Sequence, residues 1–357
     1  MKQLANDRFL RALARKAVDR TPVWIMRQAG RYMPEYRAIR AHAGDFLTLC
    51  KTPQLACEVT LLPINTFALD AAILFSDILL IPEAMGLGLS FVADEGPKFA
   101  KVISSADDVA KLPNIDPEQD LAYVSQAIRL ITKELNGRVP LIGFAGSPWT
   151  VATYMVEGQT SKQFNKIKAL MYSSPLVMHK LLAHMAQQIA NCLLAQIAAG
   201  VDTIMIFDTW GGILNDQHYK DFSLQYMARI VEIIKSKYPN IPTILFSKNG
   251  GKNIIDIAAT GCTAIGLDWT ANLSEARKLV GDKVALQGNL DPCTLYANPE
   301  QIISEVKSVL TQYGDGPGHI FNLGHGILPD INPEHVKVML EAVKQYSPAF
   351  HKQSLAV

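Results

Sequence analysis

Apolar residues along this chain come in short unbroken runs rather than in alternation with polar ones. Runs rich in Val, Ile, Leu and Phe fall at 23–26, 71–75, 141–145, 203–207, 243–246, 264–267, 284–287 and 319–323. Such runs mark parallel strands covered on both faces, where neither face meets water. The segments between them carry helix start and stop signals. Ser174-Pro175 opens a pattern that continues to Ala199-Gly200, with proline in the first turn and glycine just past the end. Asn298-Pro299-Glu300 and Asn332-Pro333-Glu334 repeat one opening: a capping side chain, a proline and a first-turn acid. Asn272-Leu273-Ser274-Glu275 predicts a further capped helix. Residues 1–10 read as a short amphipathic helix, because they hold an early acid and no apolar signal core.

Eight strands alternating with helices predict a closed (β/α)8 barrel, a single α/β domain over residues 1–357. A doubly wound open sheet is the structural rival, and no strand leads into the Gly-x-Gly-x-x-Gly turn that a dinucleotide site there would use. The run Leu89–Val92 predicts an extra strand in an insertion after the second barrel strand. No linker, low-complexity run or internal repeat divides the chain.

Composition narrows the function classes. With 49% hydrophobic and 19% charged residues, the chain has ample material for a large core. A formal net charge of +1 argues against nucleic-acid binding through a global basic field. It leaves room for a local cationic pocket. The five cysteines, Cys50, Cys57, Cys192, Cys262 and Cys293, form no Cys-x-x-Cys pair, which fits a reducing compartment. No stretch reaches membrane-spanning length without charge. The expectation is a soluble cytoplasmic protein with no membrane or nucleic-acid partner.

The C-terminal ends of barrel strands build active sites, so those positions carry the candidate chemistry. The first strand runs into Met26-Arg27-Gln28-Ala29-Gly30-Arg31, the second ends in Ser76-Asp77, and the third in Gly146-Ser147-Pro148-Trp149 with Tyr154 beyond. Asp208-Thr209-Trp210, Ser247-Lys248-Asn249-Gly250-Gly251, Asp268-Trp269, Gly288-Asn289-Leu290-Asp291 and Gly324-His325-Gly326 follow the later strands. Gly30 and Pro34 interrupt a helix, so Arg27 and Arg31 belong on a loop, where two guanidiniums suit capture of carboxylates or phosphates. Spacing alone would equally allow a solvated pair bridging to Glu35. Asp77 reads either as a cap for the next helix or as a cleft carboxylate. His325 between two glycines reads either as structural or as functional, and the flanking glycines, which open its imidazole to a ligand, favour function. Tyr154 alone reads as an ordinary half-buried tyrosine, and the four tryptophans as rim packing. Lys248-Asn249-Gly250-Gly251 has the form of an anion-cradling turn, a common motif.

His-Glu-x-x-His, His-x-Cys, Walker and Gly-x-Ser-x-Gly patterns are all missing from the sequence. His179 and His184, five apart on a helix, do not share a face and read as surface or core residues rather than metal ligands. The sequence therefore offers arginine, carboxylate, tyrosine and histidine, and predicts no metal site.

The run Pro22-Val23-Trp24-Ile25-Met26-Arg27-Gln28-Ala29-Gly30-Arg31-Tyr32-Met33-Pro34-Glu35-Tyr36-Arg37 closely resembles the N-terminal signature of uroporphyrinogen decarboxylases. Gly143-Phe144-Ala145-Gly146-Ser147-Pro148-Trp149-Thr150, continuing through Tyr154 to Gly158, resembles their second signature. Phe75-Ser76-Asp77-Ile78-Leu79 and Asn322-Leu323-Gly324-His325-Gly326-Ile327 resemble further family blocks, so the likeness spans essentially the whole chain. It implies an enzyme that removes carbon dioxide from the four acetate side chains of uroporphyrinogen without a cofactor. It also implies a homodimer whose clefts face each other, and an active cleft holding Arg27, Gln28, Ala29, Arg31, Asp77, Tyr154, Thr209 and His325. Asp77, Arg27 and Tyr154 are the implied catalytic residues, with Arg27 the family-style proton donor and Tyr154 and His325 the more conventional acids. Thr209 stands where some relatives have serine. Two rivals remain at this stage: a methyltransferase on a related barrel, whose zinc ligands the sequence does not supply, and a tetrapyrrole carrier, which would not need Asp77.

Overall fold

A computed structural model describes residues 4–92 and 96–355. The strands are β1 (Ala72–Ile73), β2 (Leu89–Val92), β3 (Gly96–Phe99), β4 (Leu141–Gly146), β5 (Thr203–Asp208), β6 (Thr243–Ser247), β7 (Ala264–Gly266), β8 (Ala285–Gln287) and β9 (His319–Ile320). Seven of them form one curled sheet in the order β1-β4-β5-β6-β7-β8-β9, and every pairing in it is parallel. β2 and β3 form a separate antiparallel hairpin, which is the insertion expected after the second barrel strand.

The first predicted strand, 23–26, is not a regular strand, and its hydrogen bonds give the reason. It runs between the two sheet edges. The Phe321 amide donates to Pro22 O at 2.8 Å, and the Asp70 amide donates to Val23 O at 2.8 Å. A full ladder is missing because side chains satisfy this segment's amides. Val23 N donates to Asp70 Oδ2 (2.8 Å), Ile25 N to Gln28 Oε1 (3.3 Å) and Met26 N to Asn322 Oδ1 (3.0 Å). The segment thus joins β9 to the backbone ahead of β1 and brings the sheet round on itself. Short β1 and β9 likewise fall inside the longer apolar runs 71–75 and 319–323.

The predicted helix starts are borne out. Helix Pro175–Ala199 has the expected bounds, and Asn272, Asn298 and Asn332 each accept a hydrogen bond from a first-turn amide of the helix that follows. Near the N-terminus the helix is Arg8–Leu13, and residues 1–3 of that expectation lie outside the described residues.

Two cores meet at the sheet. Inside it, Trp24, Met26, Ala71, Ile142, Met205, Ile244, Phe246, Ala264, Ala285 and Ile320 pack together, and Phe9, Ala12 and Leu13 of the first helix join them. That helix lies at the N-terminal ends of the strands: Ala5 N donates to Gly137 O ahead of β4, and Asn6 donates to Asp70. Buried Asp70 is paired there with Arg20 at 2.8 Å, so the bottom of the barrel is closed by packing and charge. Outside, Pro175–Ala199 packs on β4 and against helices Ala122–Leu135 and Gln225–Lys237. Among the described residues no helix is long and apolar enough to cross a membrane.

Candidate active site

At the C-terminal ends of the strands the interior core finishes in aromatic rings. Phe144 and Phe207 meet edge-on at 5.6 Å, Phe207 and Phe246 at 6.0 Å, and the His325 ring lies 6.1 Å from Phe246. Ring pairs at these separations and tilts are favourable packings, so the polar rim stands on a stiff apolar floor.

Arg27 enters this rim on a loop, since helix Pro34–Ala43 begins only at the proline. Its backbone φ is 64°, in the left-handed region that a residue with a Cβ adopts at a cost of about 1 kcal/mol. Gln28 holds that conformation in place. It is fully buried; besides the Ile25 bond, its Nε2 donates to Ala71 O at 3.3 Å and its carbonyl accepts from Tyr32 Oη at 2.7 Å. The Gln28 side chain is therefore committed to the loop's own architecture. Ala29 is half-buried against the outer core.

Asp77 follows β1 and is half-buried. One oxygen accepts the Leu79 amide at 2.8 Å, a local bond two residues on. The next helix, Leu80–Pro82, has Leu79 at its N-cap and no side-chain cap, so the helix-capping reading of Asp77 does not hold. Burial raises its carboxyl to about 6, against the pull of the Leu79 amide and of Arg27. Tyr154, on helix Pro148–Glu157, is half-buried with its pKa raised by burial; Asp77 pushes it up, while the Trp210 indole and Arg27 pull it down. His325 is lowered to about 4 by burial, with Arg27 and Lys248 adding to the effect. Asp77, Tyr154 and His325 thus each lie within the field of Arg27, and Tyr154 also within that of Asp77. The imidazole is neutral near pH 7, so it offers one N–H and one lone pair rather than a positive charge.

Thr209 is half-buried at the end of β5 and precedes Trp210, whose ring lies 6.2 Å from Tyr154. Arg31 is exposed on the Arg27 loop and its field reaches Tyr36 rather than the central four. Neither arginine is ion-paired among the described residues, which removes the bridge to Glu35 as an account of them. His179 donates to or accepts from Tyr226 Oη at 2.7 Å and stacks on Phe222, a core role. Among the described residues no three His, Cys, Asp or Glu side chains converge as metal ligands would.

Three features were not evident from sequence. Asp208 is wholly buried, has no cationic partner among the described residues, and accepts from Ser147 (2.6 Å), Thr150 (3.1 Å), Ser223 (2.9 Å) and Ser247 (3.1 Å). It therefore ties the start of the Tyr154 helix to β5 and β6. Beside Tyr154, the Trp210 indole N–H is buried with no hydrogen-bond partner of ordinary geometry among the described residues. Lys248 lies over the Trp269 ring at 5.6 Å, on the rim rather than out in solvent. Only the last had a sequence signal, the glycine-rich turn that follows it.

Comparison with known proteins places the chain. It matches the family Uroporphyrinogen decarboxylase (URO-D) over residues 4–346. A uroporphyrinogen decarboxylase from Tolumonas auensis is 59% identical over 354 residues, covering 99% of this chain and 100% of the relative. One from Alcanivorax borkumensis is 60% identical over 346 residues, covering 96% and 98%. Among solved structures, a methyltransferase from Methanosarcina mazei superposes with a TM-score of 0.78 at 22% identity, covering 96% of this chain and 99% of that one. At that identity the likeness speaks for the barrel fold alone.

Proposed function

The chain belongs to the uroporphyrinogen decarboxylase family, and from that premise we propose how its cleft carries out the decarboxylation. The substrate is a flexible macrocycle with four pyrrole N–H groups at its centre and eight carboxylates around its edge. Asp77 accepts hydrogen bonds from the N–H groups and holds the macrocycle domed over the aromatic floor. Arg27 and Arg31 take edge carboxylates, in the planar two-donor geometry that guanidinium offers. Thr209 and the backbone of Gln28 and Ala29 complete the lining.

The chemistry needs a place for the electron pair released with carbon dioxide. Adding a proton to the ring carbon next to the one that bears the acetate makes that pyrrole an iminium-like cation conjugated to the acetate-bearing carbon. The bond to the carboxylate then breaks, and its electrons form an exocyclic double bond that neutralises the ring. Protonation of the exocyclic carbon and loss of the ring proton leave a methyl group, with one proton consumed overall. The substrate is its own electron sink, so no cofactor enters. Asp77 stabilises the transient cation in a water-poor cleft, where preorganised charge is often the largest catalytic contribution. Arg27 transfers the proton, and Tyr154 and neutral His325 position the substrate.

One observation carries this reading: a half-buried carboxyl, Asp77, raised to about 6 beside Arg27 at the mouth of the barrel. Such a group is mostly anionic at neutral pH yet poorly solvated, which is the state that rewards contact with a cation. We further place the enzyme in the cytoplasm as a homodimer with facing clefts, which light scattering on purified protein tests. The function itself is tested by anaerobic incubation of metal-stripped protein with chemically reduced uroporphyrin. Seven-, six-, five- and four-carboxylate products are expected. Unchanged eight-carboxylate substrate, with folded protein and the macrocycle still reduced, would overturn the reading.

A further inference from the structure

Lys248 is a cation without a counter-charge in a place where its neighbours have theirs. Lys220 pairs with Asp256 at 2.9 Å and Lys252 with Asp216 at 2.5 Å, as surface lysines commonly do. Among the described residues no carboxylate lies within ion-pair distance of Lys248. Asp268, packed behind the same loop, is buried; its oxygens accept from the Asn249 amide and from the amide and hydroxyl of Thr270. The loop is fixed rather than free. Lys248 N donates to Asp208 O at 3.2 Å, and Asn249 takes a left-handed φ of 58° to reach Asp268.

The half-buried ammonium is held over Trp269, and the Trp269 ring stands edge-on to His325 at 6.4 Å. On the other flank, Gly326 leaves room for Arg27: a methyl group built there would lie 2.8 Å from both Cγ and Nε of the arginine. His325 therefore sits between two unpaired cations, Lys248 and Arg27. Its lowered pKa agrees with that placement, because both cations oppose its protonation. Two cations around one neutral N–H donor make a receptor for an anion the size of a carboxylate.

Resting on the decarboxylase reading, the geometry points to Lys248 as a substrate-binding residue that, with Arg27 and His325, holds an alkyl carboxylate the reaction leaves intact, a propionate rather than an acetate. The choice follows from charge. Decarboxylation moves negative charge out of the carboxylate, so a paired cationic site would stabilise the ground state of an acetate and raise its barrier. A carboxylate that is never lost suffers no such penalty, and each pyrrole brings its own propionate to this site in its own round.

The test compares Lys248→Met, which keeps the apolar stem over Trp269, with wild type and Lys248→Arg. Apparent affinity is measured for reduced uroporphyrin, with eight carboxylates, and for reduced coproporphyrin, with four, as an inhibitor. A propionate site predicts that Lys248→Met weakens both by about tenfold, the loss of one charge-assisted contact, with Lys248→Arg restoring much of it. Weakening confined to the eight-carboxylate ligand would assign an acetate and overturn the proposal. Unchanged affinity for both would also overturn it. A measurement on the native chain guards against misfolding: bound reduced coproporphyrin should protect Lys248 from acetic anhydride, read by mass spectrometry. Equal labelling with and without ligand would refute the contact. Absent turnover by wild type would instead count against the decarboxylase reading, so the two failures are separable.

Discussion

Gly326 lies flush against Arg27, and nothing larger fits between the backbone of one and the side chain of the other. An added Cβ would lie 2.8 Å from both Cγ and Nε of Arg27, well inside contact distance. The glycine beside His325 thus shapes the position of an arginine about 300 residues earlier in the chain, across the barrel closure. Gly326→Ala should therefore displace Arg27 while leaving every candidate catalytic side chain present. A shift of an ångström at a reacting group commonly costs on the order of 100-fold in rate. We expect a loss of that order in kcat/KM with the melting temperature lowered by only a few degrees. Equal activity of Gly326→Ala and wild type would show that Arg27 does not need this seat.

Asp77 sets the acid side of the activity profile. Its folded pKa is raised to about 6 by burial, so the anion that faces the pyrrole N–H groups is lost as pH falls through that value. The profile of kcat/KM reports the free enzyme and should show a limb near 6. Bound substrate adds hydrogen-bond donors to the anion, so the limb in kcat should lie lower. Asp77→Asn should abolish both limbs and reduce kcat by roughly 100-fold or more, as loss of a preorganised charge does. Near-normal turnover of Asp77→Asn would remove the cation-stabilising role.

What could be read from the sequence follows the range of the interaction responsible. Caps such as Asn298 and Asn332 act within three residues, so the helix starts they set were legible locally. The buried parallel strands were legible because a strand covered on both faces has no polar positions. The 23–26 segment was misread as a regular strand because Asp70, Gln28 and Asn322 satisfy its amides, and sequence gives no sign of partners so far apart. Asp208 was visible only as a residue at a strand end. Its four hydroxyl donors come from three separate stretches of chain, which only the barrel brings together. For the same reason Lys248 stood out only through the glycines after it, since the lack of a counter-charge is a property of the folded surroundings.

His319 makes acid stability a second pH-dependent property, distinct from activity. It is 1% exposed, its Nε2 is 3.0 Å from Gly288 O, and its ring stacks on Tyr313 at 4.4 Å. Burial lowers its pKa from 6.5 to about 4, with His351 and Arg277 adding to the effect and the Gly288 carbonyl opposing it. The unfolded chain therefore binds a proton between these values that the folded chain does not. Stability due to this group is whole above about 6.5 and falls as pH drops toward 4, by about 3 kcal/mol in all. Denaturant midpoints measured from pH 7.5 to 4 should decline accordingly. His319→Gln should give a flatter decline over that window, and an unchanged slope would assign the loss to other groups.

Asp208 separates the need for an acceptor from the need for a charge. Burial raises its pKa, and the hydroxyls of Ser147, Ser223, Ser247 and Thr150 oppose that rise, so the ionised form is held by four neutral donors alone. For a carboxyl with a raised folded pKa, stability is lost as pH climbs from the unfolded value through the folded one, so ionising Asp208 destabilises the folded chain. Asp208→Asn keeps one acceptor oxygen for Ser147 and Thr150. Its new N–H groups face Ser223 and Ser247, whose hydroxyls can rotate to accept. That variant should lie within about 1 kcal/mol of wild type at pH 7, and either unchanged or more stable. Asp208→Ala strands all four hydroxyls beside a cavity and should cost about 3 kcal/mol or more. It should also loosen Tyr154 and Trp210, because Thr150 accepts the Trp210 amide at 3.1 Å and Ser147 caps the Tyr154 helix. Urea denaturation of the pair gives the comparison, and equal destabilisation by Asn and Ala would mean that the charge, not the acceptor, holds this hub together.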